Sequence, residues 1–485
     1  MCGIVGIVSN TEINQRIYDS LLLLQHRGQD STGIATMEGS VFHLHKSKGH
    51  VKDAYRTRDM RTLRGNIGIG HVRYATTGAA HREDEAQPFY VNAPYGIILV
   101  HNGNLTNTRE LEAQLFNIDR RHTNSSSDTE MLLNILATEI QAQIHGSSLS
   151  PEHIFSAVTS LHKRVEGSYA SIALISGYGL LAFRDPFGIR PLVLGKKIVE
   201  NKKTEWILAS ESLVLENNDF EVVRDVQPGE AIFISNEGKL FSKQCSNNPQ
   251  LFPCSFEYVY LARPDSVMNG ISVYEARLRM GDHLANTVKQ KISSGDIDVV
   301  MPIPDSSRPS AMQVARQLGL EYREGFFKNR YIGRTFIMPG QALRKQSVRQ
   351  KLNAMSSEFK GKNVLLVDDS IVRGTTSREI VQMARLAGAN KVYFTSAAPP
   401  IRFPHVYGIN MPSKRELIAY NKTTKEIENI LLADKLVYQD ITDLEKSILN
   451  DSCVKHLDLS CFNGNYVTGK VTNEYLDWVE LEYSS

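Results

Sequence analysis

Apolar positions are distributed differently in the two halves of the chain. In the carboxyl-terminal half, unbroken apolar runs alternate with segments of helical spacing. Asn363-Val-Leu-Leu-Val367 has the length and β-branched character of a strand covered on both faces, and Asp368 and Asp369 close it. Ile380, Met383, Ala384 and Ala387 then repeat at helical intervals from a start predicted near Ser377. Gly388 reads as a left-handed stop, and Lys391-Val-Tyr-Phe-Thr395 as the next strand. Asp298-Val-Val-Met-Pro-Ile-Pro304 is a second buried strand, leading through Asp305-Ser-Ser-Arg308 to a helix over residues 311–318. This alternation predicts a parallel sheet with its ligand-binding loops at the carboxyl edge.

The amino-terminal half reads as shorter strands and turns. Gly3 to Val8 and a Gly-rich run ending in Gly70-His-Val-Arg-Tyr74 are apolar strands. Ile97-Ile-Leu-Val100 is predicted to open into a turn at His101-Asn-Gly-Asn104. Asn124-Ser-Ser-Ser-Asp-Thr-Glu130 caps an amphipathic helix carrying Met131, Leu132, Ile135 and Leu136. Strand patterns persist to Ile234, and residues 236–253 are polar without a clear period, which places the junction there. Phe256 to Asp265 then reads as a strand and Val273 to Gly281 as a helix. The expected division is 2–235, 254–470 and a tail over 471–485.

Composition adds exclusions. The 485 residues, 41% hydrophobic and 22% charged, are ordinary globular material sufficient for two or three domains. A net charge of +2 gives no reason to expect nucleic acid or an anionic membrane as a partner. No apolar run is long enough to cross a bilayer and no secretory pattern opens the chain, so a soluble, cytoplasmic protein is expected. The five cysteines are odd in number and none forms C-x-x-C, which argues for reduced thiols rather than a disulfide framework. His26, His71 and His101 lack metal-ligand spacing and are expected to be structural.

Candidate chemistry gathers in the run Ser370-Ile-Val-Arg-Gly-Thr-Thr376 after the Asp pair. Its hydroxyls, its Arg and a Gly that lets backbone N–H groups close around an anion make a phosphate cradle at a helix start. No Walker-type glycine-lysine loop follows any strand, so an NTPase loop is excluded. Two carboxylates before such a cradle suit a sugar phosphate and a hard cation. The thirteen residues from Val364 to Thr376 resemble the signature of type I phosphoribosyltransferases, which use 5-phosphoribosyl-1-pyrophosphate (PRPP). The resemblance implies that Asp368 and Asp369 hold the ribose hydroxyls and Mg²⁺, that Ser370 is among the PRPP-binding residues, and that Arg373, Gly374, Thr375 and Thr376 hold the 5-phosphate. It also implies that Ser306 lies at the metal and pyrophosphate. The run from Lys328 to Lys351 contains no acidic residue and resembles the family's mobile loop, with Lys328 and Tyr331 nearest the pyrophosphate.

At the other end, removal of Met1 would leave the Cys2 thiol beside its own α-amine, a base suited to neutral pH. Together with the His101 to Asn104 run, Arg73 and Asp128, this start resembles the glutaminase domain of class II glutamine amidotransferases as far as about Ile234. The resemblance implies Cys2 as nucleophile, Asn102 and Gly103 as oxyanion hole, and Arg73 and Asp128 as the clamp for the glutamine α-carboxylate and α-ammonium. The segments Arg184 to Pro191 and Ala209 to Ser212 are given structural roles as loops.

Both matches on one chain resemble the glutamine phosphoribosylpyrophosphate amidotransferase family. That implies an α/β architecture of two domains, an N-terminal-nucleophile αββα sandwich of antiparallel sheets and then a parallel-sheet phosphoribosyltransferase domain. The implied enzyme moves glutamine-derived ammonia to C1 of PRPP with Mg²⁺, opens purine synthesis, is inhibited by AMP and GMP, and forms a homotetramer. Some members carry an iron–sulfur cluster on four cysteines and an amino-terminal propeptide. Here Cys254 and Cys461 stand near two ligand positions, His405 and Asp458 occupy the others, and no residue precedes Met1, so no cluster is expected. Amidotransferases with another acceptor lack the Asp368 to Thr376 run, and a non-catalytic PRPP sensor would need neither Cys2 nor the loop lysine.

Overall fold

The computed structural model describes residues 2–74, 85–144, 146, 148–199, 203–329, 352–411 and 413–484, the last three by backbone only. Among the described residues, the amino-terminal part holds two antiparallel sheets, of seven and six strands. In the first, Gly3–Val8 lies between Thr204–Ala209 and Ile67–Arg73, with Ser31–Glu38 and Val41–Lys48 beyond the latter. In the second, Ile97–Leu105 pairs with Gly167–Ile175 and with Phe89–Val91.

Ile4 and Val8 face Ile98, Val100 and Ile172 of the second sheet, while Val5 and Ile7 pack outward against Ile17, Leu21 and Leu213. The strand is therefore apolar at every position, because both of its faces are covered. On the outer face of the second sheet, Leu132 and Leu136 of the helix Asp128–Gln143 and Val158 of Pro151–Arg164 pack on Leu99, Ala173 and Leu181. These layers make the expected αββα sandwich. Each large side chain removed from water in this way contributes about 1.5–3 kcal/mol.

The carboxyl-terminal part holds a five-stranded parallel sheet ordered Glu321–Tyr322, Val299–Pro302, Asn363–Asp368, Lys391–Ser396, Lys435–Tyr438. Leu365 and Val367 pack to one face with Met280 and Leu284, and Val364 and Leu366 to the other with Ile380 and Ile427. In register, Pro302 lies beside Val367, so the loops that follow both strands emerge together at the carboxyl edge.

Four local expectations change. Leu240–Gln244 adds an edge strand to the six-stranded sheet, so the sandwich runs past residue 235 into the stretch expected to be irregular. Phe256 to Asp265 is not a strand: Glu257–Leu261 forms a wide helical turn that buries Tyr258 and Val259, and Ala262 N donates to Glu257 O. His101 to Asn104 stays within the strand, paired with Ser168 to Ser171, rather than turning. The helix after the Asp pair is Thr375–Leu386, starting two residues early because Gly374 at φ +74° makes the turn into it. Among the described residues, no helix is long and apolar enough to cross a membrane.

Candidate active site

Cys2 precedes the central strand of the first sheet and is 8% exposed. Its backbone N lies 3.2 Å from Asn102 Oδ1, and its Sγ lies 3.9 Å from the Tyr74 carbonyl. Asn102 is fully buried, and its Nδ2 has no hydrogen-bond partner among the described residues. A buried amide donor without a partner is costly. This unpaired Nδ2 belongs to the same side-chain amide whose oxygen accepts from Cys2 N. Position 103 must be glycine: a Cβ there would lie 2.0 Å from Ser168 O and 2.7 Å from His101 Nε2.

Arg73 ends the strand that flanks Gly3–Val8, so pairing of Gly3 with Val72 sets it next to Cys2. Its Nη2 donates to Glu85 in a short ion pair. Asp128 opens the helix Asp128–Gln143, and its Oδ2 accepts from Leu105 N at 3.1 Å, just past the strand position of Gly103. His101 bonds Thr129 Oγ1 at 3.2 Å and Ser168 O at 3.3 Å, and His26 bonds Glu211 at 2.7 Å. Burial lowers the basicity of both His71 and His101, and Arg73 adds to the effect on His71.

At the parallel sheet, Asp369 N donates to Asp368 Oδ1 at 2.9 Å, Ser370 Oγ donates to Asp369 at 2.6 Å, and Ser306 Oγ makes a short bond to the other Asp369 oxygen. The two loops predicted to share a ligand thus meet. Burial, and then the negative charge of Asp369, push the Asp368 carboxyl well above the ordinary carboxylate range. Arg373 is held by Glu416 at 2.6 Å, a partner in the short helical turn Lys414–Glu416 that no motif marks. Lys328 reaches Asp305 at 3.1 Å, and Arg308 takes the other Asp305 oxygen. Tyr331 and the rest of the predicted mobile loop lie outside the described residues.

The two parts are joined by buried polar contacts. Arg27 and Arg190, from the first, bind the two oxygens of Glu257 at 2.8 and 3.1 Å. Asn104 Nδ2 donates to Val406 O at 2.9 Å, and Ser168 Oγ donates to Tyr407 O at 3.0 Å. Arg184, Arg190 and Glu211, from segments read as structural loops, are buried in this seam. Cys254, His405 and Asp458 form a buried group whose donor atoms lie within 4.8 Å of one another and could hold a metal ion. Arg190 Nη2 is 3.5 Å from His405 Nε2, a cation at the edge of the group. The donor set does not fit a four-thiolate cluster, since an imidazole and a carboxylate stand beside Cys254.

Residues 71–217 match a family model described as a glutamine amidotransferase domain, and residues 271–398 one described as a phosphoribosyl transferase domain. The chain is 56% identical to the amidophosphoribosyltransferase of Pasteurella multocida over 98% of its own length and 95% of that protein. The chain belongs to the amidophosphoribosyltransferase family. The amidophosphoribosyltransferase of Escherichia coli is 54% identical over 99% of this chain and 95% of its own. Among solved structures, the glutamine PRPP amidotransferase of Bacillus subtilis complexed with ADP and GMP superposes with a TM-score of 0.83 at 36% identity, covering 96% of this chain and 97% of that one. As an amidophosphoribosyltransferase, the chain is a glutamine-dependent transferase of purine biosynthesis.

Proposed function

We propose that Cys2 releases ammonia from glutamine and that this ammonia displaces pyrophosphate from C1 of PRPP, with inversion, to give 5-phosphoribosylamine. The observation that carries the reading is the meeting of Cys2 with the otherwise unbonded amide of Asn102. With Met1 removed, the Cys2 α-amine takes the thiol proton and Sγ adds to the glutamine amide carbon. Asn102 Nδ2 and Gly103 N–H receive the oxyanion, and each such donor is worth on the order of 10²–10³ in rate. Collapse breaks the C–N bond, the proton leaves with ammonia, and water hydrolyses the thioester to glutamate. Arg73 and Asp128 hold the substrate's α-carboxylate and α-ammonium through the reaction.

At the second site, Gly374, Thr375, Thr376 and Arg373 hold the 5-phosphate, Asp368, Asp369 and Ser370 accept or donate at the ribose hydroxyls, and Lys328 and Tyr331 face the pyrophosphate. Asp368, Asp369 and Ser306 bring carboxylate and hydroxyl oxygens together at one place, which fits Mg²⁺. When bound, Mg²⁺ neutralises charge on the departing pyrophosphate. Inhibition by AMP or GMP and assembly into a homotetramer belong to the same proposal.

Pyrophosphate release is measured with PRPP, Mg²⁺ and either glutamine or ammonia. Cys2→Ala is expected to abolish the glutamine-supported rate and to spare the ammonia-supported one. Loss of both would show that the two chemistries are not divided in this way.

A further inference from the structure

A short segment leading into the edge strand Phe89–Val91 reaches both jaws of the glutamine clamp. Glu85 is 3% exposed. Its Oε2 accepts from Arg73 Nη2, and its Oε1 accepts from Ser126 Oγ at 3.2 Å, two residues before Asp128. The loop carrying Ser126 is itself braced by Glu130, which accepts from Asn124 N at 2.9 Å and from Ser125 N at 2.8 Å. Two positions on, Gln87 donates to Thr129 Oγ1 at 2.9 Å and accepts from His101 N at 2.7 Å, beside Asn102. One segment therefore ties together the strand bearing Arg73, the helix start bearing Asp128 and the strand bearing the oxyanion amide.

We infer that Glu85 is a positioning residue of the glutaminase reaction, fixing the Arg73 guanidinium and its spacing from Asp128 and so setting selectivity for an amide that carries both an α-carboxylate and an α-ammonium. A buried carboxylate is stable only when its charge is met, and Glu85 meets it by joining the two halves of the clamp. Anchoring one Nη stops the guanidinium from swinging about its long side chain and leaves a rigid fork oriented for a carboxylate. The inference rests on the functional reading above.

The test uses the full enzyme with saturating PRPP and Mg²⁺, comparing L-glutamine, its decarboxylated analogue that keeps the amine and amide, and ammonia. Glu85→Gln is expected to raise KM for glutamine about 10–100-fold, the loss of a charged hydrogen bond, with kcat within about threefold. Preference for glutamine over the decarboxylated analogue should narrow by a similar factor, and Glu85→Asp should recover most of it. The ammonia-supported rate reports folding. Should Glu85→Gln fail to fold, Ser126→Ala removes one arm of the bridge and should raise the glutamine KM severalfold. An unchanged glutamine KM in the folded variant, or a fall in kcat with unchanged preference between the two amides, overturns the inference. If the unaltered enzyme released no pyrophosphate with glutamine, the functional reading itself would fail, which is a different result.

Discussion

Gly408 lies in the carboxyl-terminal part, yet its replacement by alanine should damage glutamine hydrolysis. An added Cβ would lie 2.8 Å from the Gly103 carbonyl oxygen, 2.9 Å from its carbon and 3.1 Å from its Cα. Non-bonded heavy atoms ordinarily sit about 3.5 Å apart, so one backbone must retreat by roughly half an ångström. The segment around Gly408 is tied to the sandwich at Val406 and Tyr407, which limits its freedom to move alone. Gly103 is itself closely packed, since a Cβ there would lie 2.0 Å from Ser168 O. The displacement therefore reaches the strand that carries Asn102 and Gly103, the proposed oxyanion donors. A misplacement of 1 Å costs on the order of 10²-fold in rate, so half of that gives about tenfold. The positive φ of +97° adds strain of about 1–2 kcal/mol for any residue with a Cβ, which a lowered thermal midpoint would register. Pyrophosphate release should show a glutamine-supported kcat reduced about tenfold and an ammonia-supported rate reduced much less. Equal loss of both rates, or loss of neither, would refute the transmission of this contact to the oxyanion strand.

Other substitutions test the two sites separately. Asn102→Ala removes one of the two proposed oxyanion donors and should lower the glutamine-supported kcat about 10²–10³-fold, read by the same assay. Asp368→Asn should abolish PRPP turnover yet raise the thermal midpoint of the ligand-free protein at neutral pH. The folded-state pKa of Asp368 is raised, so the protonated carboxyl favours folding at acid pH and that contribution is lost as pH rises through the folded value. The gap between variant and unaltered protein should thus close toward low pH, and a constant gap in differential scanning calorimetry would contradict it.

Much of this protein was decided by order along the chain. The unbroken run Asn363 to Val367 required cover on both faces and hence a parallel sheet, and the Asp pair followed by Arg373-Gly-Thr-Thr376 carries the resemblance to phosphoribosyltransferases by itself. Local sequence holds such signals because a strand, its turn and the next helix start are contiguous. Where the outcome depended on a remote partner, the sequence was silent or misleading. Asn102 and Gly103 looked like a turn and are held straight by the strand Gly167–Ile175. Phe256 to Asp265 looked like a strand, but Glu257 lies where it meets Arg27 and Arg190 across the seam. Glu85 and Glu416 carried no motif at all, because a carboxylate that orients an arginine needs only to arrive near it, and arrival is settled by how sheets and loops pack rather than by neighbours in the chain.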